Sequence, residues 1–131
     1  METPAHQGKT VYPAVAPYLI VNNADKLIEF LKKAFDFKEG VRHLQPDGTI
    51  MHAELSLNDS MVMISEASEQ FPPNPTMIHL FLNECDSFYD RALQAGATSI
   101  TEPKDQEYGH RSAGVKDASG NQWWIATDLK R

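Results

Sequence analysis

The feature that most limits what this chain can fold into is that its order of elements occurs twice. Residues 14–21 read as a strand, with Val15, Tyr18, Leu19, Ile20 and Val21 supplying its bulk. Asn22, Asn23 and Asp25 offer caps to a helix whose apolar positions Leu27, Ile28, Leu31, Ala34 and Phe35 step by one, three and four. Lys26, Glu29, Lys32 and Lys33 fall on its other side. Strands are expected over 38–45, 49–57 and 60–66, divided by Pro46-Asp47-Gly48 and by Asn58-Asp59. Residues 68–75 carry Pro72, Pro73 and Pro75, which lack a ladder donor, so this stretch reads as a linker. Beyond it the order returns. A strand is expected over 76–82, then a helix over 85–95 with Phe88, Ala92 and Ala95 on one stripe and Gly96 past its end. A strand over 97–102, a polar loop over 104–110, and strands over 111–116 and 122–127 around Ser119-Gly120-Asn121 complete the pattern.

The offsets agree with duplication. Asp25 and Asp86 lie 61 residues apart, as do Ala34 and Ala95, while Ser65-Glu66 and Thr127-Asp128 are offset by 62. Weak similarity at a fixed spacing is what a duplicated unit leaves behind. The expectation is an α+β protein of two βαβββ modules, about 14–67 and 76–128, in a single domain 14–131 behind a flexible tail 1–13. A chain of 131 residues suits one core. The apolar run from Val15 to Val21, interrupted by Pro17, is too short to cross a bilayer, and the first residues lack the basic end and apolar run of a secretory signal. Cys85 alone allows no internal disulfide, which suits a reducing cytoplasm. A net charge of −6 argues against a nucleic-acid surface, which needs clustered positive charge.

Three stretches carry a family likeness: Ala16-Pro-Tyr-Leu-Ile-Val-Asn-Asn-Ala-Asp-Lys-Leu-Ile-Glu-Phe-Leu-Lys-Lys-Ala-Phe35, Met51-His-Ala-Glu-Leu-Ser-Leu-Asn-Asp-Ser60, and Tyr108-Gly-His-Arg111 with Asp117-Ala-Ser-Gly-Asn-Gln-Trp-Trp-Ile-Ala-Thr127. Together they resemble the vicinal-oxygen-chelate superfamily, and in particular the PhnB-like branch of its glyoxalase/bleomycin resistance proteins, over about residues 14–128. The resemblance implies curved sheets around a cavity with helices outside, and a homodimer. In the metal-dependent members, two histidines and two glutamates on the first and last strands of the modules hold a divalent ion. The positions carried over fall at or beside Ala16, Val62, Met77 and Trp124, none of which ligates as a histidine or carboxylate does. No metal and no cofactor is therefore expected at the usual site.

His52 and Glu54 are the candidate catalytic pair. Two apart on a strand, they share a face with Ile50 and Ser56, while Met51, Ala53, Leu55 and Leu57 form an apolar face expected to meet the helices. An imidazole beside a carboxylate serves as acid-base partners or holds a polar ligand; a solvated strand face with an ion pair is the alternative. His79, two residues after Met77, is either a displaced metal ligand beside His52 and Glu54 or a hydrogen-bonded core histidine. Of Trp123 and Trp124, on opposite faces, Trp124 is the expected cavity wall, suited to stacking, with core filling as its alternative. Tyr18, His79, Tyr108 and Arg111 complete the expected ligand-binding set, Arg111 as an anion clamp or an exposed ion-pair partner. The leading expectation is a small-molecule-binding protein without the usual metal. The others are a lyase- or isomerase-type enzyme on a small oxygenated metabolite through His52 and Glu54, and a dimeric scaffold without a ligand.

Overall fold

The computed structural model describes residues 11–129, so most of the expected flexible tail, residues 1–10, lies outside the described residues. The first module runs β1 (Tyr18–Val21), α1 (Ala24–Phe35), β2 (Lys38–Leu44), β3 (Ile50–Leu57) and β4 (Ser60–Glu66). The second runs β5 (Met77–Phe81), α2 (Cys85–Gln94), β6 (Thr98–Asp105), β7 (His110–Lys116) and β8 (Gln122–Asp128). The modules form two four-stranded sheets in equivalent orders, β1-β4-β3-β2 and β5-β8-β7-β6, curved but not closed on each other. In each, the first strand lies parallel to the last and the other pairs are antiparallel. The parallel pair forces a long crossover, and the helix and hairpins supply it.

Each helix begins under the end of its module's last strand. The asparagines before α1 do not cap it: Asn23 is in the left-handed region (φ 60°) and makes no side-chain cap. Glu66, at the end of β4, accepts from the backbone N–H of Asn23 (2.8 Å) and Ala24 (3.0 Å) instead. A carboxylate suits the positive end of the helix. In the second module Thr127 Oγ1 accepts from Cys85 N at 2.9 Å and donates to Leu82 O at 2.7 Å. Residues 66 and 127 are 61 apart, the spacing of the helix starts, so the repeat is one of caps as well as elements.

The helices join the modules. Both pack on a sheet and on each other. At the C-terminus of α1, Arg91 of α2 donates to Lys33 O (2.7 and 3.2 Å) and forks onto the carboxylate of Asp36 (2.6 and 3.1 Å). A cation there meets the negative end of the helix. Beneath this clamp Trp123, wholly buried, meets Phe35 at 5.8 Å and Phe37 at 6.1 Å between ring centroids. Its Nε1–H donates to Asp117 Oδ2 at 2.8 Å. The same buried carboxylate accepts from the backbone of Ser119 and Asn121 and from the Asn121 amide, so the β7–β8 turn and the inter-module core share one anchor.

Three sequence expectations change. Residues 14–17 do not join β1. β6 continues through Pro103 to Asp105, beyond the expected end at 102, because it is the sheet's edge strand and a proline there interrupts no second ladder. Met51 does not meet the helices: it is 46% exposed while Ile50 is buried. The register explains this, since His43 opposes His52 but Leu44 opposes Ile50, leaving Met51 as an extra residue on β3. A bulge of one residue reverses the alternation beyond it, turning Ile50 to the core face of Ala53 and Leu55.

Replacing Asp117 by Ala strands several buried donors at once. Each costs roughly 1–3 kcal/mol when left unpaired, so D117A is expected to lower stability by about 3 kcal/mol or more. Urea unfolding followed by tryptophan fluorescence measures this, and a loss below about 1 kcal/mol would contradict the assigned anchor.

Candidate functional site

Packing α1 on one face of the first sheet leaves the other face without a helix over it. Tyr18 on β1 and His52 and Glu54 on β3 are gathered there. Tyr18 is opposite Met63 of β4, and Met63 is in turn opposite Glu54, so the tyrosine reaches across the intervening strand to the histidine. Tyr18 Oη lies 3.0 Å from His52 Nδ1, and the rings are tilted 38° with centroids 5.7 Å apart. His52 Nε2 lies 2.9 Å from Glu54 Oε2. The Glu54 side chain is only 7% exposed and the His52 side chain 27%. With the imidazole neutral, Nε2–H donates to the carboxylate and Nδ1 accepts from the phenol. A carboxylate, an imidazole and a hydroxyl then stand in series, an order that lets the imidazole take the hydroxyl proton while the carboxylate stabilises the cation formed.

A fourth member escaped the sequence reading. Tyr12 Oη donates to both oxygens of Glu54, at 3.0 and 3.1 Å. It lies in the stretch read as flexible tail, and its aromatic ring in a polar segment was the sole available signal.

The remaining expected site residues do not join this group. His79 and Trp124 belong to the second sheet, and Tyr108 to the turn between its strands β6 and β7. His79 is opposite Trp124 in register, and a row of rings runs from His79 through Phe81 and His110 to Tyr108 at centroid distances of 4.7, 5.3 and 5.3 Å. Partial burial, and then the neighbouring His110, lower the pKa of His79 and favour its neutral ring. Met77 and Phe81 on this sheet, and Tyr108 in the β6–β7 turn, are 63–65% exposed. Arg111 has its guanidinium already engaged by Asp86 (2.6 and 3.1 Å) and Asp105 (3.0 Å), and those bonds raise its pKa further. It ties β7 to the start of α2 and the end of β6. His79 is on a different sheet from His52 and Glu54, and no group of three or more His, Cys, Asp or Glu side chains is placed to hold a metal ion among the described residues. A concavity of about 950 Å³ opens elsewhere, between the modules, where Lys32, Asp36, Lys38, Glu84 and Phe88 line it.

Trp124 is half-buried, with its Nε1–H donating to Gln122 Oε1 at 3.0 Å. Its indole lies over Gly114, where an added β-carbon would come within 2.7 Å of the ring. The overlap with a rigid ring backed by the sheet leaves little room to adjust. We predict that Gly114→Ala costs about 1–3 kcal/mol and that Trp124→Ala in the same chain recovers most of the loss, as thermal unfolding of the single and double variants would reveal. Equal losses in both backgrounds would place the strain elsewhere.

The sequence profile of the Glyoxalase/Bleomycin resistance protein/Dioxygenase superfamily matches residues 11–125. Uncharacterized protein Rv0887c of Mycobacterium tuberculosis is 38% identical over 139 aligned positions, covering 95% of this chain and 82% of its own. Among solved structures, TioX from Micromonospora sp. ML1 superposes with a TM-score of 0.72 at 22% identity, covering 88% of this chain and all of its own. A PhnB protein from Bacillus cereus gives a TM-score of 0.69 at 14% identity over 88% of this chain and 98% of its own. At those identities the two structures speak for the fold alone. Sequence profile, duplicated modules and curved sheets agree: the chain belongs to the glyoxalase/bleomycin resistance protein/dioxygenase superfamily.

Proposed function

We propose that this protein binds a small organic molecule on the open face of its first sheet, with Tyr18, His52 and Glu54 as the polar contacts and without a divalent metal at the usual family position. The observation that carries this reading is Glu54, a carboxylate held almost out of water on a face with no helix above it, with His52 and Tyr18 in line. A buried charge is costly unless it is paired. A surface ion pair has no need of that burial, whereas a ligand site gains from it. The PhnB-like branch is the finer assignment we propose within the family, and the cytoplasm is the compartment that the lone buried thiol of Cys85 suits; burial pushes that thiol up to about 11, which keeps it protonated and unreactive at neutral pH.

A homodimer completes the cavity in this proposal. The open faces of both sheets expose apolar or aromatic groups, among them Tyr18, Met51, Met77 and Phe81, with Tyr108 in the turn beside the second. A partner's second sheet over the first would cover both sets and bring His79 and Trp124 to the ligand. Neither a nucleic acid nor a membrane is part of the proposal; no helix among the described residues is long and apolar enough to cross one. Light scattering should give twice the 14.7 kDa chain mass, and Phe81→Lys with Met77→Lys should return the protein to a monomer. A wild-type monomer at tens of micromolar would remove the partner from the site.

The order Glu54, His52, Tyr18 favours a second reading, a lyase- or isomerase-type enzyme acting on a small oxygenated metabolite through His52 and Glu54 as acid and base. Three measurements separate the readings. In the binding protein, quenching of tryptophan fluorescence by aromatic ligands falls at least about tenfold in affinity for Glu54→Gln and for His52→Ala, and is lost in Trp124→Leu. Calorimetric titration with zinc, nickel and manganese shows no stoichiometric uptake; uptake that Glu54→Gln abolishes would establish an atypical metal site instead. Turnover of a bound metabolite, abolished in His52→Ala with binding retained, would establish the enzyme.

A further inference from the structure

Tyr12 joins the site from outside any helix or strand, and its chemistry indicates what the site accepts. We propose that the Tyr12 phenol is an intramolecular occupant of the ligand position on Glu54, and that the ligand is a small hydroxyaromatic compound whose own phenol takes its place. This deepens the reading of Tyr18, His52 and Glu54 as a binding face and rests on it.

The donors to Glu54 make the case. Oε2 accepts from His52 and from Tyr12, while Oε1 accepts from Tyr12 alone among the described residues. A carboxylate this buried requires donors, so whatever displaces Tyr12 must bring a hydroxyl or an N–H of its own. Tyr12 nonetheless keeps 52% of its surface in water, and its neighbours Val11 and Val15 are 64% and 82% exposed. Its segment meets the sheet at Pro17, whose carbonyl accepts from Met63 N at 2.9 Å. The ring is thus only half-buried, and a free ligand that brings its own ring offers contact in its place.

Distance and shape point the same way. A hydroxyl donating to a carboxylate closes to about 2.5–2.7 Å when unconstrained. Tyr12 divides its proton between two oxygens at 3.0 and 3.1 Å. An untethered phenol is free to take one oxygen at the shorter distance. Next to Glu54, His52 and the Tyr18 ring tilted against it offer an aromatic surface against which a planar ring packs better than a saturated one. The site therefore selects for a hydroxyl donor on a flat ring, which is what Tyr12 itself presents.

The probe is p-cresol, the side chain of tyrosine in free form, titrated into full-length protein and followed by the ring C–H resonance of His52. We expect about tenfold tighter binding to Tyr12→Ala than to wild type, with Tyr12→Phe between them, and loss of binding when Glu54→Gln is added to Tyr12→Ala. Should the double variant fail to fold, 4-methylanisole on Tyr12→Ala replaces it, because that ring lacks the donor and should bind at least about tenfold more weakly. Equal affinity for wild type and Tyr12→Ala, still dependent on Glu54, would refute Tyr12 as the occupant and leave the binding face intact. Affinity independent of Glu54 would refute both. No binding to Tyr12→Ala, or equal binding of 4-methylcyclohexanol or benzylamine, would refute the hydroxyaromatic class.

Discussion

Trp123 held against Asp117 is the interaction on which the arrangement turns. The indole is fully buried, touches Phe35 and Phe37 from the first module, and gives its one N–H to a carboxylate that also closes the β7–β8 turn. A strand alternates its side chains, so burying Trp123 toward the helices obliges Trp124 to face the other way. One anchor therefore decides both where the modules meet and which face of the second sheet is left open.

The helix ends follow from the same economy. Both helices start against a polar side chain of the neighbouring last strand, Glu66 or Thr127, and α1 ends against Arg91 of α2. Backbone groups that would be orphaned at helix termini are satisfied by side chains from other elements. These bonds fix each helix on one face of its sheet, and the consequence for function is geometric: the site residues of the first module are left on the face with no helix over it. The face of the first sheet concentrates a buried carboxylate, an imidazole and two phenols. The face of the second is aromatic and carries His79 and His110. One is suited to proton exchange and hydrogen bonding, the other to covering a ring.

Much of this was legible from residue order. The period of the first helix, the turn residues and the offset of 61 are local properties of the chain, and local properties survive in sequence. The pairing of His52 with Glu54 was legible for the same reason, since a separation of two on a strand places side chains on one face whatever the rest of the fold does. The division between Trp123 and Trp124 followed from the same alternation.

What the sequence could not specify are relations between residues far apart along it. Glu66 as the cap of α1 spans 43 positions, and Tyr12 on Glu54 spans 42. Arg111 read equally as an anion clamp or as an exposed ion-pair partner, and only the fold brings Asp86 and Asp105 to its guanidinium. Met51 looked buried because alternation was assumed without a bulge, and only the partner strand shows the extra residue. By itself the sequence determined which segments are strands and helices and which neighbours share a face, because periodicity and turn chemistry act within a few residues. The tertiary structure decided which charges are paired, which face stays open and which distant side chain reaches Glu54, because burial and hydrogen-bond partners exist only once remote segments are packed together.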